Sequence, residues 1–228
     1  MNEVAAKRVS ADTFMRRVRE ALGRVETPAT VEPTPMVDES LVRLADPNDD
    51  LRTLFSRRAV DVGIQVHDTT AARLIDSVSE VLGRLGVRSI VASLDAAPYA
   101  PDLMQRLQRD GIDAIAWQSA PGFEAYYRAD AGLTRVEAAL AESGTLVCSA
   151  GPEHGRGLSL VPPIHIAIVH RSEIVPDMID YWTRIDPCDL PSSVVFIAGP
   201  SKTADIEGIL ITGVHGPREV HVVLVADV

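Results

Sequence analysis

The chain has 228 residues, 46% of them hydrophobic, and a formal net charge of −10. That length supports one substantial domain with its own core, and the acidic balance excludes non-specific binding to nucleic acid or anionic membranes, which needs clustered positive charge. No apolar stretch approaches the ~20 residues that span a bilayer, and the N-terminus lacks the apolar core of a secretory signal. Two cysteines, Cys148 in an apolar run and Cys188 beside Pro187, argue against a structural disulfide. A cytoplasmic location is expected.

In chain order, Ser10 is placed to cap a first helix in which Phe14, Val18, Ala21 and Leu22 recur at helical spacing. Its narrow apolar face suits docking on a partner or on a second copy, so a homo-oligomer is compatible with it. Pro28, Pro33 and Pro35 then mark residues 26–38 as an extended linker. The expected organisation is an N-terminal helix over 1–25, a proline-rich linker over 26–38 and a globular domain over 39–228. Within that domain Pro47, Asn48, Asp49 and Asp50 signal a helix over 49–58, and residues 60–66 read as a strand. Asp68 or Thr69 starts a helix carrying Leu74, Ile75, Val78, Val81, Leu82 and Leu85; a strand over 89–93, a helix over 101–109 and a strand over 112–117 follow. This alternation predicts an α/β fold with a mostly parallel sheet and helices on both faces, in which ligands bind beyond the carboxyl ends of strands. Trp117, Phe123, Tyr126 and Tyr127 gather around Pro121 and Gly122 as a satellite core, a lid or a subunit contact.

Three polar segments carry the candidate chemistry. Glu142, Ser143, Gly144 and Thr145 lie between two apolar runs, so Glu142 is placed as a nucleophile, general base or orienting group and Thr145 as a hydrogen-bond donor; a solvated glutamate in a β-turn is the alternative. Next, three glycines surround Arg156, a composition suited to a mobile anion-binding loop or to a plain surface loop. The third segment runs between the apolar residues 194–197 and 220–225, which both read as central strands. Gly199, Pro200 and Ser201 turn the chain, and Lys202, Thr203, Asp205 and Glu207 follow within one or two helical turns, with His215 presented between Gly213 and Gly216. Ser201, Lys202 and Thr203 fit an anion, with Asp205, Glu207 and His215 as orienting or proton-handling groups; Ser201 or Thr203 as a helix cap is the bland reading. A nucleotide P-loop fails, because Phe196 and Ser201 stand where its glycines belong. No metal is expected: His165 and His170 fall on opposite faces of one strand, and His215 and His221 offer no ligand spacing. His221 reads as a packed strand histidine.

The run ESGTLVCSAGPEHGRGLSLVPPIHIAIVH, followed by GPSKTADIE at 199–207 and GVHGP at 213–217, resembles the LUD-domain family, in particular its lactate utilization protein C (LutC/YkgG-like) branch. The resemblance is dense over the last hundred or so residues and covers the preceding sixty or so in outline. It implies a three-layer α/β/α sandwich of the NagB/RpiA/CoA-transferase-like kind, and a role in bacterial oxidation of L-lactate to pyruvate beside partner subunits that carry iron–sulfur clusters. The chain departs from the related ETGT pattern at Ser143, a hydroxyl-for-hydroxyl change. Cys148 and Cys188 are too few to ligate a cluster, so no cofactor is expected on this chain, and a small carboxylate is the expected ligand. The alternative is a stand-alone NagB/RpiA/CoA-transferase-like enzyme acting on a small anionic or acyl-CoA substrate through Glu142, whose Glu-Ser-Gly turn loosely resembles that of CoA transferases.

Overall fold

Ser10 accepts a hydrogen bond from the Thr13 N–H and starts α1 (Ala11–Ala21), on which no residue is buried. The structure, a computed structural model, describes residues 10–24, 38, 42–94, 97–120, 122–151, 154–186, 188–204 and 208–227. It divides into two units, Met1–Val42 and Arg43–Val228. Apart from Asp38, the linker expected over 26–38 lies outside the described residues, as do Asp205 and Glu207.

In the second unit, Asp50 caps α2 (Leu51–Asp61), its carboxylate accepting from the Thr53 N–H at 3.2 Å. The helix runs further than the sequence predicts, because Val60 belongs to its last turn and not to a strand. Gly63 ends it at φ +94°, a conformation that costs glycine little. Its N–H bonds to Val60 O and the Ile64 N–H to Ala59 O, which closes the helix with a Schellman pair. β1 (Gln65–Thr69) therefore starts at Gln65, and Asp68 and Thr69, expected to open the next helix, are its last residues. The same pair of bonds, at Gly86 and Gly111, ends α3 (Leu74–Arg84) before β2 (Ser89–Ser93) and α4 (Ala100–Arg109) before β3 (Asp113–Ala116).

The chain continues through α5 (Glu124–Arg128), β4 (Ala131–Arg135), β5 (Ala138–Leu140), β6 (Thr145–Ala150), β7 (Ile164–His170), β8 (Ile174–Val175), α6 (Met178–Thr183), β9 (Ser193–Ile197), β10 (Lys202–Thr203), β11 (Ile211–Thr212) and β12 (Glu219–Val225). Six strands form one sheet in the order β1-β12-β7-β4-β2-β3, every pair parallel. On one face α3 and α4 bury Val78, Leu82, Leu103 and Leu107 against Ile90, Leu133, Ile166 and Val223. On the other, Phe55 and Ala59 of α2 pack on Val222 and Leu224. Each fully buried aliphatic side chain contributes about 1.5–3 kcal/mol of transfer free energy. The plan is the three-layer α/β/α sandwich, and a four-stranded sheet, β8-β5-β6-β9, shares the second outer layer with α2.

Two segments differ from expectation. Residues 220–225 form an interior strand, but residues 194–197 belong to β9, the edge of the smaller sheet, where Val194, Val195 and Phe196 are only half-buried. Lys202 and Thr203 do not wind into a helix; they pair antiparallel with Ile211 and Thr212. Backbone bonds of 2.8 Å from Ser201 N–H to Pro217 O and from Gly213 N–H to Ser201 O hold this arm, and its β-branched residues favour the extended chain.

Strand order reverses between β2 and β4. From β2 the chain steps outward to β3; from β4 it steps the other way, to β7 and then β12. The carboxyl ends of β2 and β4, at Ser93 and Arg135, are thus the switch point where sheets of this kind leave a crevice.

Candidate functional site

A polar pocket occupies that switch point. Ser93 and Thr134 are register partners at the ends of β2 and β4, and both hydroxyls are buried. The 3-10 turn Arg156–Ser159 roofs them. It comes this close because β4 carries Gly132: a Cβ there would lie 1.9 Å from Leu158 O. Gly155, just before the turn, fits over Trp117 and the Tyr126 hydroxyl in the same way. Arg135, Arg156, Ser159, Cys148 and Ser149 of β6 and His154 also line it. The inner space is ≈ 10 Å³, room for about one water. It adjoins, through Ser149 and His154, an outer cleft of ≈ 590 Å³ between Glu137, Arg184, Asp186 and Asp189.

Its charges are unevenly committed. Arg135 is held by Glu173 at 2.7 Å, and Glu173 also accepts the His170 N–H at 2.8 Å. Neither Arg156 nor Arg184 forms an ion pair among the described residues. Beneath the pocket, Thr134 Oγ1 lies 2.8 Å from His165 Nε2, while His165 Nδ1 is buried without a hydrogen-bond partner. Burial pushes the His165 pKa down to about 4, so the ring is neutral at pH 7. Burial pushes the Cys148 thiol up to about 12, against a smaller opposing effect of its hydrogen bond with Thr134. A protonated thiol is a poor nucleophile. The arrangement offers hydroxyl donors and guanidinium forks, which suits holding a small carboxylate.

Of the residues singled out from the sequence, Arg156 lines this pocket. Glu142 lies in the β5–β6 turn and Thr145 opens β6, at the other end of that strand from Ser149. The Glu142 N–H donates to Pro176 O at 3.0 Å, its Oε2 is buried without a hydrogen-bond partner, and Thr145 Oγ1 accepts from Ser143 at 2.8 Å. Register between β6 and β9 pairs Leu146 with Ile197 and brings this turn beside the start of the 199–217 loop. Both rest on the last turn of α2: a Cβ at Gly144 would lie 2.3 Å from Ala59 N, and one at Gly199 2.4 Å from Val62 O. Lys202 and His215 are exposed, Ser201 and Thr203 half-buried, and Ser201 Oγ accepts the His215 N–H at 3.3 Å. Neither Glu142 nor these loop residues line either cleft. Among the described residues no group of three or more His, Cys, Asp or Glu side chains could hold a metal ion, and no helix is long and apolar enough to cross a membrane.

His165, which follows Pro162 and Pro163 at a strand entrance, is a minor site candidate from the sequence, whereas Ser93, Thr134 and Ser159 escaped it. The sequence signal of Ser93 and Thr134 is a lone hydroxyl near the end of an apolar strand, as in Val91-Ala92-Ser93 and Gly132-Leu133-Thr134.

The model of the LUD domain matches residues 53–225. Lactate utilization protein C of Halalkalibacterium halodurans is 33% identical over 226 residues, covering 95% of this chain and 97% of that one. Uncharacterized protein YkgG of Escherichia coli is 31% identical, covering 94% and 97%. A crystal structure of a DUF162 family protein from Deinococcus radiodurans superposes with a TM-score of 0.57 at 26% identity, covering 77% of this chain and 96% of that one. Matched by the family model over most of its length and by these relatives over nearly all of it, the chain belongs to the LUD-domain family.

Proposed function

We propose that this protein is a component of bacterial L-lactate utilization, acting in the cytoplasm with iron–sulfur subunits that oxidise L-lactate to pyruvate. The observation that carries this reading is its near full-length similarity to proteins named lactate utilization protein C. With only Cys148 and Cys188 as thiols, the electron-transfer chemistry falls to the partners, since clusters normally need four thiolates. This chain's part is to hold the small carboxylate at the switch point. Arg156 and Arg184, free of ion pairs among the described residues, take the carboxylate at the ≈ 590 Å³ outer cleft, and the hydroxyls of Ser93, Thr134 and Ser159 line the ≈ 10 Å³ recess behind it, which has room for a bridging water.

The test is a deletion strain grown on L-lactate, with anaerobic affinity purification of the tagged protein. Loss of growth, restored by the wild-type gene, and recovery of cysteine-rich, iron-bearing partners are the expected results. Normal growth of the deletion strain, with the protein eluting alone and iron-free, overturns the reading. Pyruvate binding to the purified chain, weakened about tenfold or more in Arg156→Gln as expected for a lost charge-assisted pair, places the ligand.

A second reading, an acyl-CoA-dependent enzyme, draws on the Glu142 carboxylate, whose Oε2 is buried without a hydrogen-bond partner. That oxygen would attack the thioester carbonyl and release CoA as its thiolate, leaving an acyl group on Glu142 as a mixed anhydride. Intact-mass measurement after incubation with acyl-CoA supports this reading by a mass gain absent in Glu142→Gln, and no gain removes it.

A further inference from the structure

A second polar pocket lies at the opposite, amino-terminal edge of the parallel sheet, on the α3 face. It has ≈ 140 Å³ and is lined by Gln65 and His67 from β1, His221 from β12, and Val81, Arg84 and Leu85 at the end of α3. Its floor is a pair of histidines lying edge to edge, ring centroids 5.4 Å apart and planes 6° from parallel. His67 Nε2 lies 3.1 Å from His221 Nδ1, and His221 Nε2 lies 3.4 Å from Glu219 Oε2. His221 is 1% exposed.

The carboxylate fixes the direction of this chain of bonds. Glu219 can only accept when ionised, so His221 carries its proton on Nε2, and Nδ1 keeps its lone pair. His67 must then donate from Nε2, which leaves its Nδ1 as an unprotonated acceptor. Over the same space stands Arg84, which forms no ion pair among the described residues. Glu219, itself shared with Arg218 at 3.6 Å, is the acidic group acting on His221, and Arg84 is the basic group acting on both rings. Burial lowers both histidine pKa values; at His67 the His221 ring and then the Arg84 charge lower it further, and at His221 Glu219 opposes the fall with Arg84 adding a smaller one, so the pocket sets the Arg84 cation beside two neutral rings.

We propose that this pocket binds a phosphate-sized oxyanion, with Arg84 as its charge partner and His67 Nδ1 as the acceptor of the proton that comes with it. Dihydrogen phosphate meets both demands: its charged oxygens accept from the guanidinium and a hydroxyl donates to His67. No bond is made or broken. The site is independent of the carboxylate cleft, since no residue lines both.

The test is calorimetric titration of the full-length protein with inorganic phosphate at pH 6 and pH 8, in two buffers of different ionisation enthalpy. Saturable one-to-one binding is expected, tightening from pH 8 towards pH 6 by up to about tenfold per pH unit, with uptake of about one proton at pH 8, where the free ion is the dianion, and little at pH 6. Arg84→Gln, at an exposed helix end, should weaken binding about tenfold or more, and His67→Gln should retain weak binding that no longer varies with pH. Glycerol phosphate is the second probe: competition identifies a terminal phosphoryl group as the occupant, its failure identifies the free ion, and either agrees with the site. Absence of binding at millimolar phosphate and pH 6, or equal affinity in Arg84→Gln with its fold intact by circular dichroism, overturns the proposal.

Discussion

Gly132→Ala should damage stability and the switch-point cleft together. Gly132 sits in β4, paired with His165 of β7, and a Cβ at this position would lie 1.9 Å from Leu158 O and 2.9 Å from Leu158 C. Restoring the ordinary 3.4 Å separation means moving backbone by about 1.5 Å, since no side chain can swing aside. Overpacking of a tight core costs about 1–3 kcal/mol, and contact with main chain puts this site near the top of that range. Alanine's lower chain entropy in the unfolded state returns about 0.5–1 kcal/mol. The net is a loss of about 2 kcal/mol, or about 4–8 °C in Tm for a chain of this length. Thermal and urea unfolding followed by circular dichroism measure the loss. Because the displaced turn carries Arg156 and Ser159, pyruvate affinity should fall in the same variant. A Tm within about 1 °C of wild type would refute the inference that Gly132 exists to let the turn approach β4.

Gly83→Ala is the opposite case: Gly83 lies inside α3, exposed, with nothing within 4 Å of the added Cβ, so a gain of about 0.5–1 kcal/mol is expected, read as a higher urea midpoint at unchanged m. Acid should destabilise the fold before carboxylates titrate. His165, His67 and His221 all titrate below the ordinary 6.5 in the folded chain, chiefly through burial, so the unfolded chain binds more protons as pH falls. Their stabilisation is complete above about pH 6.5 and is lost towards about pH 4, with His165 contributing on the order of 3 kcal/mol; urea midpoints that do not change between pH 7.5 and pH 5 would contradict this. Thiol labelling should separate the cysteines. Cys188 is exposed, whereas Cys148 is held as a thiol with its pKa at about 12, so a disulfide reagent should label Cys188 alone in the native protein and both after denaturation; fast native labelling of Cys148 would show that β6 opens readily.

What is legible in the sequence is what chain neighbours decide. The alternation of helix and strand from Leu51 to Ala116 follows from apolar spacing, and Gly86 and Gly111 mark helix ends as glycines at C′ do. Val60 misleads because a β-branched residue in a last helical turn looks like the start of a strand; only Gly63, three residues on, tells where the helix stops. Residues 194–197 mislead because an apolar run has no sequence mark for which sheet receives it, and β9 joins the edge of the smaller one. Strand order is less legible still. Ser93 and Thr134 are ordinary hydroxyls until β2 and β4 become neighbours, and His165 acquires its polar role only because Thr134 stands across the strand from it. The 199–217 loop drew attention through its glycines and hydroxyls, yet its glycines serve close packing, Gly199 against Val62 O and Gly213 against Arg218. Arg156 shares that glycine-rich composition and does reach the pocket. Both loops run into the amino ends of parallel strands, β12 and β7, and meet where Pro163 O accepts the Arg218 N–H; only the second sends a turn, Arg156–Ser159, over β4 to the carboxyl ends, where a ligand meets the crevice.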